Sequence, residues 1–301
     1  MFRLVATMPG MAERPSQDEI KRRVLEDRPS FTVPVDPPEN PAPARDSATV
    51  MLVRDGADGL EVFMLERHLN SDFAGGAYVF PGGTIDPRDL DPDAATYLDG
   101  ADAAEAAERI DAPKDRALAF YLCAIRETFE EAGVLLARRD SQGVRFDDPA
   151  EEQRFAGYRA ELNARGGSLA TLAKEENLRY SGDLLHYFAR WITPEFAPKR
   201  YDTRFFVATM LEGQSPLHDD VETTASTWIR PAEALSRAAE GLFSIIFPTR
   251  KTLESLARFA TAGEVIASTR GKEIPALLPN VVLADGQPRV VLPGDSTLHE
   301  P

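Results

Sequence analysis

The stretch Arg126-Glu127-Thr128-Phe129-Glu130-Glu131-Ala132-Gly133-Val134 carries the most informative pattern in this chain. The spacing of the apolar residues around it predicts a helix over about residues 116–137, with one narrow apolar stripe that faces a core. Glu127, Glu130 and Glu131 fall on the opposite side of that helix, within about 100° of one another. Glu127 and Glu131 are a like-charge pair at i, i+4, which costs roughly a few tenths of a kcal/mol unless something compensates it.

A divalent cation would compensate this crowding of charge. Oxygen-rich ligands suit Mg²⁺ or Mn²⁺, so the three glutamates are candidate metal ligands. Arg126 lies four residues before Glu130 and is placed to orient its carboxylate. The alternative is a solvated polar face, the usual role of glutamates on an amphipathic helix. Two features favour the metal: Phe120 and Cys123 share the glutamate face, and a Gly-Gly turn precedes the helix.

Outward from this helix, the apolar patterns predict a mixture of strands and helices without regular βαβ alternation. The predicted strands cover residues 48–54, 60–66, 78–80, 186–192, 204–211 and 226–229, with a terminal hairpin over 281–283 and 289–292. The predicted helices lie within 86–115 and 150–177 and at 231–240 and 248–260. This mixture predicts an α+β fold, or an α/β/α sandwich with a mixed sheet.

The chain divides into a tail, a folded domain and an extension. Five prolines between positions 34 and 43 predict that residues 1–47 form a disordered or loosely packed tail, with at most a short helix near 17–25. The domain is expected over 48–270, followed by a C-terminal extension over 271–301.

Composition restricts the partners and the compartment. The 301 residues include 49 acidic and 34 basic side chains, a formal charge of −15, which argues against nucleic acid and anionic membrane as partners. The single cysteine, Cys123, can form neither an internal disulfide nor a cysteine-based zinc site, so a reducing, cytoplasmic setting is expected. No apolar run approaches the roughly 18–20 residues that a membrane span needs.

The quoted stretch resembles the second half of the Nudix box, R-E-x-x-E-E-x-G-apolar, and matches it at every defined position. Pro81-Gly82-Gly83 resembles the opening of that box. The resemblance implies an α/β/α sandwich, a divalent metal and hydrolysis of a diphosphate joined to another group. It also implies close backbone approach at the two glycines, with Gly83 a candidate metal ligand and Gly82 a candidate substrate contact.

The spacing departs from the usual box. In the family, about fourteen positions separate the second glycine from the arginine, whereas Gly83 and Arg126 are 43 apart, so roughly 29 residues are inserted near 87–115. The isolated glutamate of the box, about eight positions before the arginine, falls on Leu118 and is therefore absent. Asp86 and Asp115 are both candidates to replace it.

An inserted box resembles the subgroup of Nudix hydrolases that includes the peroxisomal coenzyme A diphosphatases. Four downstream segments strengthen this resemblance, which covers about 48–260: Phe188–Pro194, Arg200–Phe206, Trp228–Leu235 and Phe247–Thr249. A second, helical insertion is expected at about 140–180. The resemblance implies coenzyme A or acyl-coenzyme A as the substrate and a possible homodimer. The alternatives are hydrolysis of ADP-ribose or dinucleotides, and a non-catalytic Nudix-fold ligand-binding or regulatory protein.

Further residues have candidate roles in diphosphate hydrolysis. The general base is either Glu127 or Glu222, which lies on an acidic loop. Lys199, Arg200 and Arg204 form a basic cluster near Tyr201 that either clamps substrate phosphate or pairs with the many acids.

The inserted stretch 87–115 is acidic, so it is expected to repel phosphate. Its apolar residues Tyr97, Leu98 and Ile110 would then either cover the long arm of a substrate or belong to a solvated flap or dimer contact.

Overall fold

The structure is a computed structural model, and it describes residues 39–69, 74–219, 222–284 and 287–292. The short helix predicted near 17–25 lies outside these ranges. The strands are β1 Ala44–Gly56, β2 Gly59–Arg67, β3 Tyr78–Val79, β4 Gly82–Thr84, β5 Leu98–Asp99, β6 Ala137–Arg139, β7 Gln142–Gly143, β8 Arg179–Ser181, β9 His186–Ile192, β10 Arg200–Thr209, β11 Thr223–Ile229, β12 Ala276–Leu277, β13 Asn280–Ala284 and β14 Gln287–Val291. The helices are α1 Pro92–Thr96, α2 Ala103–Ile110, α3 Ala117–Ala132, α4 Pro149–Asn163, α5 Leu169–Glu176, α6 Pro231–Ala239, α7 Phe247–Leu256 and α8 Ala262–Ser268, with a 3₁₀ helix at Pro87–Leu90.

A mixed sheet forms the middle layer, in the order β11-β2-β1-β10-β9-β12, with β3 beside β2 and β4 beside β1. The central strand β1 runs parallel to β10 and antiparallel to β2 and β4. Its side chains alternate between two cores: Val50 and Leu52 face one, and Met51 and Val53 face the other. A strand that is buried on both faces requires helices on both sides of the sheet. The predicted α/β/α sandwich with a mixed sheet is therefore confirmed.

The two helical layers differ in size. Helices α1 to α5 contribute to the core on one face of the sheet, and α3 packs directly against β1 and β4. Helices α6 to α8 contribute to the core on the other face. Among the described residues, no helix combines the length and the apolar character that crossing a lipid bilayer requires.

The two insertions form one structural unit. Strand β5 of the inserted box pairs in parallel with β8 of the second insertion, within a small sheet of order β5-β8-β6-β7. Arg88 strengthens this connection because its Nη1 donates to the carbonyl oxygens of Leu162 and Gly167. Arg179 and Asp99 add an ion pair of 2.6 Å.

The apolar residues of the box insertion belong to the protein's own core. Ile110 is fully buried, Leu98 is nearly so, and Tyr97 packs against the same cluster. The expectation that these three side chains cover the arm of a substrate is therefore wrong. They are buried by helices of the second insertion and by α3, which sequence spacing alone does not place nearby.

Several element boundaries also differ from the prediction. Strand β1 begins at Ala44, four residues before the expected start of the domain, because Ala44 already pairs with Arg200. Helix α3 ends at Ala132, since Gly133 adopts a left-handed conformation with φ 68°. The helix expected over 248–260 is α7, which ends at Leu256, and α8 is a further helix that was not predicted. The predicted terminal hairpin is formed by β13 and β14, and its Asp285-Gly286 turn lies outside the described residues.

Candidate active site

Glu127 and Glu131 of α3 lie against Gly82 and Gly83, the first two residues of strand β4. The backbone N–H of Gly82 donates to Glu131 Oε2 at 2.8 Å. A Cβ atom at Gly83 would overlap the Glu127 carboxylate, so only glycine fits there without displacing that side chain. The structure thus brings together the two halves of the box across the inserted residues.

Arg126 organises two of the glutamates. Its Nη1 donates to Glu127 Oε1 and to Glu130 Oε2, both at 2.7 Å, and only 4% of its side chain is exposed. The Glu130 contact is the one that the i, i+4 spacing predicts. Glu130 also lies 3.7 Å from Arg88 Nη2, which belongs to the box insertion.

Asp89 holds the other edge of the same guanidinium. Arg126 Nε donates to Asp89 Oδ1 and Nη2 to Oδ2, both at 2.8 Å, and Asp89 is 2% exposed. This buried, bidentate arrangement is the strongest form of an arginine–carboxylate contact. Neither expected substitute takes this place, because Asp86 caps the 3₁₀ helix and Asp115 is exposed at the surface.

The spacing from the glycine could have identified Asp89. In the box, the isolated glutamate lies about eight positions before the arginine and the second glycine about fourteen positions before it. The acid is therefore expected about six positions after the glycine. The residue six positions after Gly83 is Asp89. Counting from Arg126 led to Leu118 because the inserted residues fall between Asp89 and Arg126. The fourth acidic position of the box is therefore present.

Burial and crowding raise the pKa values of the three glutamates. Burial, partly opposed by Arg126, raises the pKa of Glu127 to about 7. Burial and then the charge of Glu127 raise the pKa of Glu131 well above its ordinary value. Burial also raises the pKa of Glu130, again against the effect of Arg126. The nearby cations do not balance the carboxylates, which is the condition that a divalent cation relieves.

The donor set fits a divalent cation, although it is not arranged around one. In the part of the chain that the structure describes, no three His, Cys, Asp or Glu side chains are grouped so that they could hold a metal ion as they stand. The reason is that Glu127 and Glu130 point to Arg126, while Glu131 points to Gly82. Glu130 Oε1, however, is buried and has no hydrogen-bond partner among the described residues. A metal at this site would require the glutamates to turn from these partners.

The predicted backbone ligand, Gly83, has a neighbour of its own. Its carbonyl oxygen lies 3.6 Å from the sulfur of Cys123, which is fully buried. Burial, and then the charge of Asp89, raise the pKa of the Cys123 thiol. Cys123 is therefore a packing residue behind the site, because a buried neutral thiol is unreactive.

Glu222 and Arg67 lie on the other side of Glu131. Glu222 is exposed, its carboxylate is 3.9 Å from Arg67 Nη2, and its charge contributes to raising the pKa of Glu131. Arg67 Nε is buried, and no described residue accepts a hydrogen bond from it. Arg67 was missed in the sequence, where it directly follows the strand predicted over 60–66. Its position where β2 ends beside the glutamates makes it a candidate phosphate ligand.

The phosphate clamp predicted on β10 is wrong for Arg204, which is buried within the fold. Arg204 is 2% exposed, donates to the carbonyl oxygens of Ile110 and Asp111, and lies 4.5 Å from the centre of the Phe120 ring. Its charge is balanced by Asp202 at 2.9 Å.

Arg200 and Tyr201, in the same cluster, also make hydrogen bonds within the fold. Arg200 donates to the carbonyl oxygens of Ala42 and Thr193, and the backbone N–H of Tyr201 donates to the Thr193 hydroxyl. These hydrogen bonds hold the start of strand β10 in place, and a role of the two residues in substrate binding stays a prediction.

Arg159 closes the site from the second insertion. It donates from Nε to the carbonyl oxygen of Glu130 at 2.9 Å and from Nη2 to those of Glu131 and Leu217 at 2.8 and 2.9 Å. A cation at the end of a helix satisfies its free carbonyl groups and complements its dipole. Arg159 thus links the end of α3 to the segment that leads to Glu222.

Comparisons with known proteins agree with this geometry. Residues 96–248 match the family model described as NUDT19 Nudix domain. The Xenopus laevis protein named acyl-coenzyme A diphosphatase NUDT19 is 27% identical over 238 residues, which cover 68% of this chain and 62% of that protein. The Homo sapiens protein of the same name is 26% identical over 282 residues, covering 81% of this chain and 74% of that protein. This chain therefore spans less than two thirds of the length of the Xenopus relative.

A solved structure supports the same assignment. The crystal structure of a Nudix hydrolase from Alicyclobacillus acidocaldarius has a TM-score of 0.58 and 28% sequence identity, and the match covers 75% of this chain and 96% of that one. The match to the family model covers just over half of this chain. The chain therefore belongs to the family of the NUDT19 Nudix domain.

Proposed function

We propose that this protein is a diphosphatase that hydrolyses the diphosphate linkage of coenzyme A or acyl-coenzyme A with Mg²⁺ or Mn²⁺. The observation that carries the proposal is the cluster of Glu127, Glu130 and Glu131 around Arg126, with more carboxylate charge than the nearby cations balance. The substrate class follows from relatives named acyl-coenzyme A diphosphatase.

In this proposal the three glutamates hold the metal and Gly83 contributes its carbonyl oxygen. Bound divalent metal would neutralise the phosphate oxygens and lower the pKa of an attacking water. Asp89 and Arg126 keep the glutamates in place before the metal binds. Gly82, beside Glu131, leaves room for the substrate to approach the backbone.

Two further residues have roles on the opposite side. Arg67 donates its buried, unpartnered Nε–H to a phosphate oxygen of the substrate. Glu222, exposed and close to Arg67, accepts the proton of the attacking water. Glu127, with its pKa raised to about 7, is the other candidate base.

The test measures products after the full-length protein is incubated with Mg²⁺ or Mn²⁺ and a panel of diphosphates. We expect cleavage of coenzyme A and acyl-coenzyme A to exceed cleavage of ADP-ribose and diadenosine polyphosphates. A preference for ADP-ribose or dinucleotides would support the alternative substrates. If the protein bound these diphosphates but released no products from any of them, the result would support a non-catalytic binding protein.

A further inference from the structure

A cleft of about 220 Å³ lies on the face of the sheet opposite α3. It is bounded by strands β9 and β12 and by helices α7 and α8. The α3 glutamates pack against the other face of the sheet, so this cleft is separate from the candidate active site.

A bulge in β9 shapes the cleft. Phe205 pairs with Ala189 and Phe206 with Tyr187, so Phe188 is the extra residue in β9. A bulge redirects side chains relative to the regular alternation of a strand. As a result, Phe188 and Ala189 are consecutive residues that both line the cleft.

The cleft is basic in an acidic protein. Lys251, Arg258 and Lys272 line it, and no lining residue is acidic. Lys251 has one ion pair, with Glu254 at 3.0 Å. No ion pair joins Arg258 or Lys272 to an acid in the part of the chain that the structure describes. In a chain with a net charge of −15, three cations with one acidic partner among the described residues indicate a site for an anion.

Two buried donors in the wall of the cleft also lack partners. Trp191 Nε1 and Thr252 Oγ1 have no hydrogen-bond acceptor among the described residues, and these residues are only 5% and 2% exposed. A buried donor without an acceptor destabilises the fold, and a ligand oxygen that accepted its hydrogen bond would remove this penalty. Both residues line the same cleft as the cations.

We propose that this cleft binds a small phosphate monoester with an apolar or aromatic body. The three cations and the two unpartnered donors match a doubly charged phosphate, which accepts hydrogen bonds through several oxygens. Phe188, Phe259 and Leu277 provide apolar walls for the body of the ligand. The volume is below the roughly 300–1,000 Å³ of a typical ligand pocket, so the ligand is small or extends into solvent.

The test uses phenyl phosphate and the fluorescence of Trp191. The chain has two tryptophans, so Trp228→Phe leaves Trp191 as the only one. EDTA removes divalent metal, so that phosphate does not bind through the candidate active site. We expect a saturable fluorescence change, with phenyl phosphate binding more tightly than inorganic phosphate or phenol, each of which supplies only one half of the ligand.

Charge reversal then locates the site. Arg258→Glu and Lys272→Glu should each weaken binding by about tenfold, since each removes one charge-assisted contact. Arg250→Glu is the matched control, because Arg250 is an exposed arginine on helix α7, which bounds the cleft, but does not itself line the cleft. All three side chains are exposed, so the fold should be retained. No saturable change, or equal binding by all three variants, would overturn the proposal.

Discussion

Asp89 and Arg126 are 37 positions apart in the sequence and are joined by two hydrogen bonds of 2.8 Å. Both residues are almost completely buried. Arg126 also holds Glu127 and Glu130, two candidate metal ligands. Asp89 therefore acts on these ligands through Arg126. The Asp89 contact therefore connects the segment that precedes the inserted residues directly to the candidate active site.

Replacement of Asp89 should affect both stability and activity. Asp89→Ala leaves Arg126 buried without its bidentate partner, so we expect the free energy of unfolding to fall by about 3–5 kcal/mol. Asp89→Glu should retain more of both properties, because it keeps the carboxylate. Denaturant unfolding and rate measurements on the two variants test this. The control is Asp115→Ala, at an exposed position, and equal behaviour of the Asp115 and Asp89 alanine variants would contradict the assignment.

Glu131→Gln should abolish most of the activity without unfolding the protein. The change keeps the shape of the side chain and removes one ligand charge, so kcat should fall about 10²-fold or more. The control is Glu61→Gln on β2, where Glu61 pairs with Arg54 at 2.7 Å. The measurement is kcat of each variant with Mg²⁺ and with Mn²⁺. Similar kcat values for the Glu131 and Glu61 variants would refute the role of Glu131 as a metal ligand.

Arg67→Ala should weaken substrate binding. The Nε–H of Arg67 is a donor that no described residue satisfies, and phosphate oxygens accept such donors strongly. We expect KM to rise about tenfold or more, since a charged hydrogen bond is lost. Arg54→Ala is the control, because Arg54 is already paired with Glu61. A KM equal to that of the unchanged protein would exclude Arg67 from the substrate site.

The stabilisation by metal should depend on pH. The pKa of Glu127 is raised from 4.5 to about 7 in the folded protein, so the folded state holds this proton more tightly than the unfolded state. This contribution to stability is complete below about pH 4.5 and is lost as the pH rises through about 7. Metal competes with the same proton, so the increase in Tm on adding Mg²⁺ or Mn²⁺ should grow between about pH 5.5 and about pH 8.

Calorimetry with metal and with EDTA at the two pH values measures this effect. Glu127→Gln removes the titrating group, so the pH dependence of the metal effect should become smaller in that variant. An increase in Tm that is the same at both pH values in the unchanged protein would contradict the proposed role of Glu127.

Local patterns predicted the sandwich and most of its elements. The alternation of buried residues in β1 and the periodicity of α3 are properties of short segments, so they can be recognised without knowing the rest of the fold. Asp89 was missed because its identification depends on where the insertion begins. The end of α3 was misplaced because the apolar period continues beyond Gly133, whose backbone conformation stops the helix.

Arg204 illustrates why the rest of the site could not be predicted. A cluster of cations in an acidic chain suggested a phosphate clamp, but Phe120 and Asp202 bury and neutralise this arginine. Conversely, Arg67 is an ordinary strand residue until the structure places Glu131 and Glu222 beside it. Both outcomes depend on contacts between distant segments, which a single sequence does not specify.

Arg159 should act as a positioning residue for catalysis. It holds the carbonyl oxygens of Glu130 and Glu131 and therefore the end of α3 that carries both side chains. In Arg159→Ala these carbonyl groups lose their partner, so we expect the end of the helix to loosen and kcat to fall about tenfold or more, with a smaller change in KM. The increase in Tm on adding metal should also become smaller, because the ligands are less well placed.

Two further variants separate positioning from general stability. Arg159→Lys keeps a cation at the end of the helix and should recover part of kcat. Arg154→Ala, on the same helix α4, removes an exposed arginine that pairs with Glu176 and should leave kcat unchanged. If Arg159→Ala lowered Tm but retained full kcat and the full metal effect, Arg159 would only stabilise the fold, because a positioning residue must change both of those readouts.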